Sequence, residues 1–86
     1  MIYPMFAVRD VNVGFNAPMT DVNENTAKRN FSFAINDPNN GVMHFAPKDY
    51  DLYKIGTFDT DSGLLLPEPV PVLICSGVSV FGSEVR

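Results

Sequence analysis

The sequence predicts an α+β fold in which one helix packs on a small, mainly antiparallel sheet, and three observations carry the prediction. Apolar residues recur at helical spacing between Asn23 and Asn36, β-branched and aromatic residues fill the runs on either side, and a five-residue, Gly-ended connection joins two of those runs. The chain of 86 residues is expected to be one domain, residues 1–86, because so short a chain has interior for a single core. Seven Phe and a hydrophobic content of 45% suffice for that core, since each buried Phe contributes roughly 1.5–3 kcal/mol on leaving water. The margin at this length is thin, and a partner subunit would widen it, so a homo-oligomer is expected.

Tyr3 to Phe15 reads as a strand or a bent pair of strands, with Phe6, Val8 and Asp10 on one face and Ala7, Arg9, Val11, Val13 and Phe15 on the other. Asn16 to Thr20 breaks it, because Pro18 cannot donate to a ladder and restricts Ala17 to extended geometry. The helix follows from about Asn23 to Asn36. Asp21 and Asn23 compete as its N-cap, the first pairing with Glu24 in a capping-box-like spacing and the second allowing Val22 to staple against Ala27. Ala27, Phe31, Ala34 and Ile35 form the buried stripe and leave Glu24, Lys28 and Arg29 toward solvent. Asp37-Pro38 stops the helix and Gly41 supports a turn.

Val42 to Phe45 is expected to be extended, ahead of a turn at Pro47-Lys48-Asp49. Leu52 to Phe58 and Leu64 to Leu66 flank the turn formers Asp59 to Gly63, which predicts a β-hairpin. Pro67 to Pro71 reads as a stiff extended spacer. Val72 to Phe81 is predicted as one more strand, with a bulge or bend at Gly77 and a role in pairing across a dimer.

Composition removes several classes of function. The single cysteine, Cys75, rules out an intramolecular disulfide and a Cys-rich zinc site. No secretory signal is expected, because the apolar start lacks a basic region and ends at Arg9 and Asp10. The apolar run from Val70 to Phe81 is shorter than the ~20 residues that span a bilayer. A formal charge of −4 repels phosphate on average, so a nucleic-acid site would have to be a local patch.

Catalytic and metal motifs are weak. Asp61-Ser62-Gly63 has the spelling of an aspartic-protease signature, yet it lacks an apolar lead-in to bury a shared-proton dyad and reads as a solvated turn. Asp59-x-Asp61-x-Gly63 departs from a calcium loop at its fifth position, and Val70 stands where the bidentate Glu belongs. His44 and Cys75 have no motif context and read as a packed imidazole and a buried thiol. Asn30-Phe31-Ser32 is a glycosylation sequon on a helix of a chain with no expected export. No enzyme, metal or cofactor is expected.

One constellation points to binding. Lys28 and Arg29 on the helix, with Lys48, Tyr50, Tyr53 and Lys54 at the strand entry, interleave cations with aromatics, a combination that neutralises phosphates and stacks unpaired bases. The competing reading packs Tyr53 in the core and pairs Lys28, Arg29 and Lys54 with nearby carboxylates.

The block from Asn30 to Gly63 also carries a family likeness. Phe31-Ser-Phe-Ala-Ile-Asn-Asp-Pro-Asn-Asn, then His44 to Pro47, then Lys48-Asp-Tyr-Asp-Leu-Tyr-Lys-Ile-Gly-Thr-Phe-Asp-Thr-Asp-Ser-Gly resembles the small non-structural protein of gokushovirus-type microviruses. That resemblance implies an accessory protein in the host bacterial cytoplasm, binding single-stranded DNA or viral and host replication or packaging proteins. The alternative is a protein-interaction or assembly module without DNA contact.

Overall fold

A computed structural model describes residues 1–82. The elements are β1 (Ile2–Asp10), β2 (Gly14–Phe15), β3 (Met19–Thr20), α1 (Glu24–Asn36), α2 (Val42–Phe45), β4 (Tyr50–Asp59), β5 (Leu65–Ser76) and α3 (Gly77–Val80), with 3-10 turns at Pro38–Asn40 and Pro47–Asp49. The strands form one antiparallel sheet in the order β2-β1-β4-β5, and β3 pairs with the same edge of β1 as β2. The α+β fold is therefore as the sequence predicts, with α1 covering one face.

The core lies between α1 and that face. Phe6, Val8, Tyr50 and Leu52 from the strands meet Ala27, Phe31 and Ile35 from the helix, and Phe6, Ile35 and Leu52 have no exposed surface. Ala27, Phe31 and Ile35 of the predicted stripe are thus in place, whereas Ala34 is only half-buried and Ser32 is buried instead. Asn23 is the N-cap: its side chain accepts from the Thr26 N–H at 2.9 Å, and Thr26 Oγ1 accepts from the Asn23 N–H at 3.3 Å. The box partner is Thr26 rather than Glu24. Asp21 acts from outside the helix, accepting from Thr26 Oγ1 at 2.5 Å and from Asn30 Nδ2 at 3.0 Å. Val22 is 67% exposed and forms no staple.

Three expectations need correction. Val42–Phe45 is a helical turn rather than extended, because the Ala46 N–H reaches back to the Val42 carbonyl at 2.7 Å and the Phe45 N–H to that of Gly41 at 3.0 Å. The segment after Pro67 is not a spacer followed by a new strand. It belongs to β5, with Pro67 opposite Gly56 and Val72 opposite Lys54, while residues 68–71 have no ladder partner. Nor does the strand reach Phe81: it ends at Ser76, whose hydroxyl accepts from the Ser79 N–H at 3.2 Å and caps α3. The first residue of that helix is glycine because a Cβ there would collide with the Pro47 carbonyl oxygen.

The β4 hairpin closes as expected, with the Asp59 N–H donating to Leu64 O at 3.0 Å and Gly63 at φ 76°, a left-handed position that suits glycine. Within β4, Lys54 faces Phe6 and Gly56 faces Met5, so Ile55 is an extra residue with no partner of its own.

Candidate functional site

Residues paired across antiparallel strands share a face of the sheet, and alternate residues along a strand point to opposite faces. The face under α1 therefore takes Phe6, Val8 and Asp10 with Lys54, Leu52 and Tyr50. The opposite face takes Tyr3 with Phe58 and Leu65, Met5 with Gly56 and Pro67, Ala7 with Tyr53 and Leu73, and Arg9 with Asp51 and Phe15. No described helix lies over this second face. Phe15 is 47% exposed and Leu73 55%, whereas a solvated sheet face ordinarily alternates to polar residues.

The densest part of the open face is its Arg9 end. The Phe15 and Tyr53 rings meet edge to face, with centroids 5.2 Å apart and planes at 71°. Arg9 stands opposite Phe15 in the β1–β2 pair, and no described carboxylate lies within 4.0 Å of its guanidinium. Arg9 and the two rings thus share one uncovered surface, the elements of a stacking platform. Tyr3 and Phe58 lie further along the same face.

The six residues singled out from sequence do not form one cluster. Tyr53 lies on the open face. Tyr50 is a correction: its side chain is in the core, 6% exposed, and offers no ring face to a base. Burial pushes its hydroxyl pKa up, and the facing Asp10 carboxylate adds to the rise. Lys54 projects on the α1 side, where its Nζ is 3.7 Å from Glu68 Oε2. Lys28 and Arg29 are exposed on α1, and Lys48 is exposed in the 3-10 turn before β4. The sheet thus lies between Tyr53 and the helix cations. Arg9 and Phe15 were not among the sequence candidates, because the β1–β4 pairing puts Arg9 near Tyr53 and the turn between β1 and β2 brings Phe15 to it.

The other motifs have structural roles. Asp61 is an exposed turn residue whose N–H donates to Asp59 Oδ1 at 2.9 Å, and that bond holds the Asp59 carboxyl below the usual carboxylate range. His44 Nδ1 lies 3.0 Å from the Ile35 carbonyl, to which the imidazole N–H donates. Cys75 packs against the core, and burial pushes its thiol pKa up. No hydrogen bond joins His44 to Cys75 among the described residues, nor do those residues contain a metal-binding group of three or more His, Cys, Asp or Glu. No described helix is long and apolar enough to cross a membrane.

Fold and site together define a two-layer α+β domain that keeps one aromatic sheet face uncovered. The chain belongs to the Phage ORF5 protein family, whose family model matches residues 3–80, nearly the whole described fold. It is thereby a bacteriophage protein. Neither a curated protein nor a solved structure matches it.

Proposed function

We propose that the chain is a phage accessory protein that acts by binding rather than by catalysis, and that its ligand is single-stranded DNA during viral DNA replication or packaging. The observation that supports this reading is the open sheet face with Arg9, Phe15 and Tyr53 at one end. Unpaired bases have apolar faces to stack on such rings, and duplex DNA does not. The resemblance to gokushovirus non-structural proteins supports the same ligand and a place in the host bacterial cytoplasm.

On this reading, affinity comes from stacking more than from charge. Arg9 is the described cation on the open face, and the chain's formal charge is −4. Log affinity against log salt is therefore expected to fall with a slope of about −0.7, the value for one phosphate on a single strand. Engagement of Lys28, Arg29, Lys48 and Lys54 together would give a slope of roughly −3. Fluorescence anisotropy with a labelled single-stranded oligonucleotide across a salt series tests both points, and absence of binding at low salt would refute the DNA reading. It would leave the alternative of a protein-interaction or assembly module, which the exposed apolar side chains of β5 favour.

A further inference from the structure

Antiparallel register divides the open face into rows, each made by one residue of β1 with its partners in β4 and β5. Beyond the row of Arg9 come Ala7 with Tyr53 and Leu73, then Met5 with Gly56 and Pro67, then Tyr3 with Phe58 and Leu65. Rings stand in the first and last of these three rows. The row between them is low, because Gly56 has no side chain and Met5 is half-buried. An open apolar depression of about 180 Å³ lies there, lined by Met5, Gly56, Leu65 and Pro67 with Ile55 and Pro18. Tyr3 and Phe58 are half-buried rather than covered. No carboxylate stands in the three rows, and Asp51 lies one row back, opposite Arg9.

We propose that Tyr3 and Phe58 form a second base-stacking subsite for single-stranded DNA, and that the strand runs along β1 and β4 from Arg9 toward the hairpin. The inference rests on the DNA reading above and adds to it the path and length of the ligand. Its basis is a match of repeats. Alternate residues of a β-strand recur about every 6.8 Å, so the row of Tyr3 lies about 14 Å beyond that of Ala7. Stacked bases of one strand rise about 3.4 Å each, and a strand whose bases are splayed apart reaches about twice that.

One nucleotide therefore fits each row. A first base stacks on Tyr53, the next sits at the depression, and a third stacks on Tyr3 and Phe58, with Arg9 at the phosphate before the first. The depression suits its share, since an apolar cavity of about 150 Å³ accepts a six-membered aromatic ring. A flat partner surface would leave the low middle row unfilled, whereas a chain with one ring per step fills all three.

Competition anisotropy of the full chain with thymidine oligonucleotides of two, four and eight residues tests it. Wild-type affinity is expected to rise about 5- to 150-fold between two and four residues, for the base gained on the second subsite, and to change less from four to eight. Phe58→Leu and Tyr3→Leu are each expected to weaken binding of the eight-residue oligonucleotide at least about 5-fold, with an unchanged circular-dichroism spectrum. Phe45→Leu, at an 89%-exposed ring on α2, is expected to bind as the wild type does. The length series needs no variant, so loss of fold in Phe58→Leu or Tyr3→Leu leaves the test intact. A flat length series, or wild-type affinity in both of those variants while Tyr53→Leu loses it, would overturn the second subsite and leave the first standing. Equal loss in Phe45→Leu would place the contacts off the open face, and no binding by the wild type would overturn both readings.

Discussion

Replacing Tyr53 by leucine separates the stacking site from its alternatives. Leucine keeps an apolar side chain beside Phe15, so the change removes the aromatic face with little effect on the register of β4. Its cost to the fold is set mainly by the edge-to-face pair at 5.2 Å, worth about 0.5–1.5 kcal/mol beyond area burial. For a chain of this size that corresponds to a fall in Tm of roughly 4–8 °C per kcal/mol. Loss of one stacked base removes about 1–3 kcal/mol of binding, or about 5- to 150-fold in Kd. The assay is anisotropy with a single-stranded oligonucleotide at a temperature where both proteins are folded by circular dichroism. Tyr53→Phe, which keeps the ring, is expected to bind as the wild type does. Wild-type affinity in Tyr53→Leu combined with a salt slope near −3 would refute the reasoning and place the contact on the cations of the α1 layer.

Gly77→Ala is expected to destabilise the fold by about 1–3 kcal/mol, the usual cost of overpacking, because the new methyl meets the Pro47 carbonyl oxygen; chemical denaturation measures it. Asp21 governs a pH dependence. Its carboxyl is held below the ordinary value of 3.8, chiefly by the Thr26 hydroxyl. A depressed folded pKa contributes stability that is present above the unfolded value and lost as the pH falls through the folded one. The Tm difference between wild type and Asp21→Asn should therefore be largest near neutrality and shrink in that acid range, and a constant difference would contradict the assignment.

How much of this was legible in the sequence depended on whether local signals decided the outcome. Helix α1 was legible because Ala27, Phe31 and Ile35 repeat along one face and Asn23 caps it. Both cap candidates take part, Asn23 through the backbone and Asp21 through Thr26 and Asn30. Val42–Phe45 was misread because four residues are too few to show a period. The end of β5 was overrun because Val78, Val80 and Phe81 continue an apolar run, although Ser76 followed by Ser79 at cap spacing marked the turn into α3.

The site was legible in part. Tyr50 and Tyr53 are three residues apart in one strand, an odd spacing that sends them to opposite faces, so they could not serve one surface. Arg9 and Phe15 were hidden because their closeness is made by the fold-back at Gly14, where φ is 123°. The positions of Lys28, Arg29, Lys48 and Lys54 along the sequence carried no information about which side of the sheet each would occupy.

The unpaired Ile55 sets a limit on how this chain can vary. Tyr53 and Phe58 are five residues apart, which in an unbroken strand would place them on opposite sides. Because Ile55 adds one step without a partner, both lie on the open face, with Ala7 and Tyr3 across from them. Loss of that one residue would leave Tyr53 and Phe58 four apart in a regular strand, both still on the open face, whereas one residue gained in the paired stretch would shift the phase of everything after it, sending Phe58 and Leu65 under α1 and Thr57 and Leu66 out. Substitution or loss of Ile55 is thus a local event, while an added residue exchanges the two sides of the ribbon; a gained residue in this part of β4 should be far less tolerated than a change of side chain.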